Sequence, residues 1–284
     1  MELSSKIAKR FNLQFEGADQ IVKRIGNPAF PSQNNLFWVD SLLNANKITC
    51  GVIICPNSFV VERQPNLTIL KTTDSPRLVF SKIVNKFFPE LFIDSLINYS
   101  DFHKKRSNIT VGEYCYIGKN VTIGSGSIIH PNTTIYSNTV IGERCVIMSN
   151  SSIGTTGIGF EREGETMYKF PQIGNVVIGN DVEIGPNCTI RRGALGSTIL
   201  KDNVKIGSLT NIGHNCVIND RVLITGSTCI AGSSIIENDV FIGVNVSIKN
   251  KVIVGSNATI GMGSVVIEDI PEGEIWMGIP AKKK

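Results

Sequence analysis

The stretch Val204–Val266 reads VKIGSLTNIGHNCVINDRVLITGSTCIAGSSIIENDVFIGVNVSIKNKVIVGSNATIGMGSVV. Every sixth residue from Ile206 to Val266 is Ile or Val. The same phase starts at Leu200, and two earlier runs, Val111–Ile153 and Ile178–Ile190, obey the same rule. All 23 positions are Ile, Leu or Val. The residue two before is Cys, Val, Ser, Thr or Ala at every site except Ile109. Gly follows the aliphatic residue in 12 cases, as at Gly112, Gly118, Gly185 and Gly261.

A helix needs a period near 3.6, which this pattern lacks. Each hexad instead reads as a short strand and a turn. Alternation puts the aliphatic residue and the small residue two before it on one inner face. Gly, Asn and Asp near the turn offer permissive backbone angles. Three strands close a coil of 18 residues, and stacked coils bury one aliphatic column. The expected fold is therefore mainly β: a parallel β-helix, with a small α/β unit before it.

Two breaks interrupt the phase. Ile153 and Ile178 are separated by GTTGIGFEREGETMYKFPQIG and a few further residues, whose charges and aromatics cannot line the column. The second break, RRGALGST, separates Ile190 from Leu200. Both are expected as loop excursions, near residues 155–175 and 191–198. Residues 1–100 show no hexad and read as α/β, with helices at Ser4–Phe11 and Arg77–Phe88 and a strand at Ile48–Ile54. A linker with DFHKKR at Asp101–Arg106 opens the β-helix, which spans 101–268. Residues 269–284, ending PEGEIWMGIPAKKK, are expected to cap it.

Composition narrows the function. The 284 residues are 42% hydrophobic, 18% charged and 7% aromatic, which argues against disorder. A net charge of +4 is too weak to imply nucleic acid. No apolar run approaches the roughly 20 residues of a membrane span. MELSSKIAKRF lacks the apolar block of a signal peptide, so the expected location is cytoplasmic. The seven cysteines contain no C-x-x-C pair. They read as reduced thiols, with Cys115, Cys145, Cys188 and Cys216 as small core residues and no metal or disulfide.

Three histidines exist. His103 in the linker and His130, next to inner Ile129, read as surface residues. His214 follows inner Ile212 by two, in I-G-H-N. If the chain turns there, its imidazole projects from a corner beside Asn215, where a neutral ring can take a proton from an amine or hydroxyl. One coil of 18 residues later stands Gly232. A glycine stacked over a histidine leaves a backbone N–H open to an oxyanion.

The strings P-Q-I-G (Pro171–Gly174), R-G-A-L (Arg192–Leu195) and H-N (His214–Asn215) follow in this order. They resemble the lipid A N-acyltransferases, hexapeptide-repeat enzymes that move a hydroxyacyl chain to the amine of a UDP-acylglucosamine. NNLFWVD (Asn34–Asp40) and TDSPRLVFSKIVNKFF (Thr73–Phe88) are similar to that family's uridine-binding module. The resemblance implies a left-handed β-helix, a homotrimer with sites between neighbouring prisms, His214 as general base and Gly232 as oxyanion donor. It implies substrate contacts at Phe37 and Asp40; Asn215, Phe160 and Arg191 join them as candidates. Gly207 stands where the family has a carboxylate seven residues before the histidine, and Lys251 where it has a second histidine.

The ending GIPAKKK resembles instead the acetyl-CoA-dependent sugar acetyltransferases of the same prism. It turns the expectation of function to transfer of an acetyl or other short acyl group from acyl-CoA to a nucleotide-linked amino sugar. Lys249, Lys251 and Lys282 would face the coenzyme phosphates. The alternatives are a UDP-3-O-acylglucosamine N-acyltransferase using acyl carrier protein, which the ending makes a less expected partner, and a non-catalytic nucleotide-sugar-binding solenoid. A γ-type carbonic anhydrase would need three zinc-binding histidines, and only His130 and His214 lie in the coils.

Overall fold

The inner aliphatic residues stack in register in the computed structural model, which describes residues 1–92 and 108–284. The linker expectation at Asp101–Arg106, including His103, lies outside the described residues. The chain divides into two units: Met1–Ile93 with Ile158–Pro171, and Asp94–Gly157 with Gln172–Lys284.

The second unit is a left-handed parallel β-helix with three faces. On the first face Ile190 pairs with Ile212, Ile212 with Ile230, and Ile230 with Ile248. The second face carries Leu200, Ile218, Ile236 and Val254 in the same way. The third carries Ile206, Ile224, Ile242 and Ile260. Every hexad residue joins one core cluster, and only Val111, in the first coil, is partly exposed. At roughly 1.5–3 kcal/mol per buried aliphatic side chain, this column dominates the unit's stability.

The corners explain the rest of the hexad. Except after Ile153, Ile190 and Val266, the third residue after the inner aliphatic is left-handed, as at Asn187 (φ 57), Asn215 (φ 60) and Asp239 (φ 61). Asn and Asp tolerate this conformation better than most residues. The glycine directly after the aliphatic has a different reason. A Cβ at Gly118 would lie 2.4 Å from Ser137 N, and one at Gly213 would lie 2.5 Å from Gly232 N. Those glycines permit close coil-to-coil approach rather than an unusual φ.

The end of the chain closes the column. Ile270 bridges to Val254, and Trp276 pairs above Ile260 with 9% exposure. Ala281 is buried in the same cluster. Among the described residues no helix is long and apolar enough to cross a membrane.

The N-terminal unit holds a five-stranded sheet in the order Gln14–Gly17, Asn66–Thr72, Cys50–Pro56, Asn35–Trp38, Arg24–Ile25. Only the first pair is antiparallel. Helix Ser4–Arg10 precedes it. Helix Pro76–Phe87 starts at Ser75, whose Oγ accepts the Leu78 N–H, with Pro76 in the first turn. The first excursion forms a hairpin, Phe160–Glu163 with Thr166–Lys169, grouped with this unit. Glu161, Glu163, Lys169 and Phe170 have partners there. Arg77 pairs with Glu161 at 3.2 Å, Lys82 pairs with Glu163, and Asn85 Nδ2 donates to Lys169 O at 2.7 Å. Phe170 packs against Trp38 and Phe80.

Candidate active site

Both excursions leave the β-helix between its first and second faces. Ile153 and Ile190 are on the first face, and Ile178 and Leu200 on the second. His214 and Gly232 turn at the same corner, so insertions and candidate chemistry share one edge.

Hydrogen bonds tie this corner together layer by layer. Ile173 N–H donates to Ala194 O at 2.7 Å, and Gly174 N–H to the same oxygen at 3.0 Å. Ala194 N–H donates to Asn215 Oδ1 at 2.9 Å. His214 Nδ1 lies 3.0 Å from that Oδ1. Ser233 N–H donates to His214 O at 2.8 Å, and Lys251 N–H to Gly232 O at 3.1 Å. The P-Q-I-G, R-G-A-L and H-N strings are thus successive layers of one stack.

The imidazole lies over Gly232. A Cβ there would sit 2.7 Å from His214 Nε2 and 2.8 Å from Cε1, so no other residue leaves the ring in place. The Gly232 N–H donates to no partner among the described residues. A base and an open amide therefore share a half-exposed corner, the arrangement an acyl transfer needs. Asn215 N–H donates to the buried Thr198 Oγ1 at 2.8 Å, which fixes the turn.

Sequence reasoning gave three residues here no role of their own, although Gln172 and Arg192 stand in the P-Q-I-G and R-G-A-L strings. Arg192 is 8% exposed, and donates from Nε to Gly154 O at 2.6 Å and from Nη2 to Ser137 O at 3.2 Å. It anchors the second excursion to the coils below. Gln172 Oε1 is buried without a partner among the described residues. It lies 2.8 Å from the point a Gly157 Cβ would occupy, and His214 Cδ2 lies 3.2 Å from that point. Gly157 and Gln172 leave no hexad signal, because they stand inside an excursion.

The other candidates divide. Arg191 is at the corner, its Nε 3.4 Å from Asn211 Oδ1 and its Nη1 3.3 Å from Thr156 O. Lys249 and Lys251 are exposed one coil beyond Gly232. Lys282 Nζ pairs with Glu268 at 2.6 Å. Phe37, Asp40 and Phe160 belong to the N-terminal unit. Asp40 is exposed and Phe160 is 45% exposed. Phe37 corrects an expectation. It is 0% exposed, and Cβ atoms at Gly26 and Gly51 would lie 2.2 and 2.6 Å from its ring. It fills the core and offers a ligand no surface.

Residues 120–155 and 233–268 match the family described as bacterial transferase hexapeptide (six repeats). A UDP-3-O-acylglucosamine N-acyltransferase from Dechloromonas aromatica is 52% identical over 82 residues, 29% of this chain and 24% of that protein. One from Methylobacterium nodulans is 39% identical over 129 residues, 45% of this chain and 37% of that protein. The chain thus spans between about a quarter and somewhat over a third of the length of these curated relatives. The solved structure of LpxA from Acinetobacter baumannii matches with a TM-score of 0.58 and 27% identity, over 63% of this chain and 68% of that one. The chain carries hexapeptide repeats and resembles the lipid A acyltransferases.

The relatives' names overturn the expectation of a short acyl group carried by coenzyme A to another nucleotide-linked amino sugar. That expectation rested on the ending GIPAKKK. In the structure those residues belong to the closure of the column, with Ala281 buried and Lys282 paired to Glu268. They report how the last coil is covered, not which carrier brings the acyl group.

Proposed function

We propose that the chain is an N-acyltransferase acting on the 2-amine of a UDP-3-O-acylglucosamine, with the acyl group delivered by acyl carrier protein. The observation that carries this reading is the imidazole of His214 seated on Gly232, whose N–H is unpartnered. In the reaction His214 removes a proton from the amine as nitrogen attacks the thioester carbonyl. The carbonyl oxygen gains charge and accepts the Gly232 N–H. The tetrahedral intermediate then collapses, the carbon–sulfur bond breaks, and the imidazolium returns its proton to the thiolate. An amide and a free thiol result, with no covalent enzyme intermediate. Lys249 and Lys251 are assigned to the phosphate of the donor's pantetheine arm, as point charges.

In the N-terminal unit the nucleotide is assigned to the carboxyl end of strand Asn35–Trp38. Open α/β sheets take ligands at that edge. Asp40 is exposed beside it, and the buried indole N–H of Trp38 has no partner among the described residues. The outward residues of the second face, Val140, Val177, Ile199, Val217, Ile235 and Ile253, form one β-branched stripe. Copies of the chain in a trimer are its assigned occupant, and the stripe supports that assembly by its length and its apolar character.

The test offers UDP-3-O-acylglucosamine with hydroxyacyl groups on carrier protein or on coenzyme A, with mass detection. The reading expects N-acylated product, formed faster from the carrier protein. Product from coenzyme A alone, or acylation of a hydroxyl, would replace it.

A further inference from the structure

The strings R-G-A-L and H-N have an order and spacing that the hexad does not require, and the base-and-amide pair leaves them unexplained. Their contact supplies the reason. Asn215 Oδ1 lies 2.9 Å from Ala194 N and 3.0 Å from His214 Nδ1. A backbone N–H only donates. The carboxamide atom facing it must therefore be the oxygen, which fixes the orientation of the Asn215 side chain. That oxygen only accepts. His214 Nδ1 must then carry the proton, and the lone pair of the neutral ring is left on Nε2. Nε2 is also the ring nitrogen nearest the Gly232 Cβ position.

We infer that Asn215 is a positioning residue that holds His214 in its Nδ1–H tautomer, and that the second excursion aims it through the Ala194 N–H. A carboxylate is unnecessary for this, which answers the presence of Gly207 where a family acid is expected. Gly193 belongs to the same device. A Cβ there would lie 3.0 Å from Asn215 Nδ2 and 2.2 Å from Gly196 O, so the carboxamide has room only beside glycine. Thr198 Oγ1 completes the clamp by accepting the Asn215 backbone N–H. The inference rests on His214 being the base, but the tautomer itself is a property of the free protein.

The experiment uses the full chain labelled with nitrogen-15 at histidine, read by long-range proton–nitrogen correlation at a pH where the ring is neutral. His214 is identified by the signals missing in His214→Ala. The expected pattern is a protonated Nδ1 and an unprotonated Nε2. Asn215→Asp, whose carboxylate can accept both hydrogen bonds, keeps that pattern. Asn215→Ala loses it and lowers kcat about 10- to 100-fold, the range seen when the partner that orients a metal-bound histidine is lost, with KM little changed. A protonated Nε2 in the native chain overturns the inference, and so does an unchanged tautomer in a folded Asn215→Ala. A protonated Nδ1 in a chain that fails to acylate the amine would keep the inference and remove the functional reading alone.

Discussion

Two corners of the same prism use one hexad for opposite ends. Between the second and third faces, a side chain from the next coil satisfies four successive first-turn N–H groups. Asn180 accepts from Glu143 N, Asp202 from Asn180 N, Asp220 from Asp202 N, and Asn238 from Asp220 N, at 2.7–3.0 Å. Arg144 clasps Asp181 and Arg221 clasps Asp239 along the same edge. Between the first and second faces the equivalent turn positions are His214, Gly232 and Asn250. Asn250 is exposed and leaves the Gly232 N–H free. One corner spends its polar groups on holding coils together. The other leaves the Gly232 N–H and the His214 Nε2 without a partner among the described residues.

Among the changes that set one corner against the other, closing the open corner is expected to have the largest effect. Gly232→Ala puts a methyl 2.7 Å from Nε2, displaces the ring and crowds the amide. Turnover should fall about 10²–10³-fold with little change in Tm, read by steady-state kinetics beside thermal unfolding. Asn250→Asp extends the carboxylate ladder to this corner and sets a negative charge where the oxyanion develops. It should slow turnover by at least about tenfold without unfolding the chain. An unaffected rate would mean that the Gly232 N–H is not the oxyanion donor.

The ladder should respond the other way. Asn238→Ala removes the acceptor of Asp220 N–H and should cost about 0.5–1.5 kcal/mol in denaturant unfolding, with kcat unchanged. The smallest effect is expected from the clasped carboxylates. Hydrogen bonds from Arg144 and Arg221 hold Asp181 and Asp239 below the usual carboxylate range. Their contribution is full above the unfolded carboxylate range and is lost as the pH falls through the lowered folded values. Both groups are exposed, so the acid-side fall in Tm should be slight and should shrink further in high salt.

Thiol labelling separates inner from outward positions of the prism. Cys229 is exposed, whereas burial pushes the Cys216 thiol up to about 11. A thiol reagent at neutral pH should modify Cys229 and spare Cys216 until the chain unfolds. Labelling of native Cys216 would contradict its inner position.

The column was legible because its physics is periodic: a residue facing the axis must be aliphatic in every coil, and Ile212 or Ile230 declares itself by phase alone. His214 over Gly232 was legible for the same reason, as the coil fixes which residues stack. What escaped has no period. Gly157, Gln172 and Arg192 act from within or beside excursions, where neighbours come from hydrogen bonds rather than phase. Phe37 was misread because an aromatic in a strand looks the same whether it fills a core or faces a ligand. The glycines after the aliphatics were assigned to turn freedom, but their missing Cβ serves the approach of the next coil. The tail was misread because a motif that closes a prism carries no information on the donor.

The most direct measurement is the single-turnover rate of amine acylation by His214→Ala, on material whose Tm and oligomeric mass match the native chain. With His214 as the base, the rate falls about 10²–10⁴-fold. A rate near that of the native chain on the same substrate would contradict it and move the chemistry away from this corner.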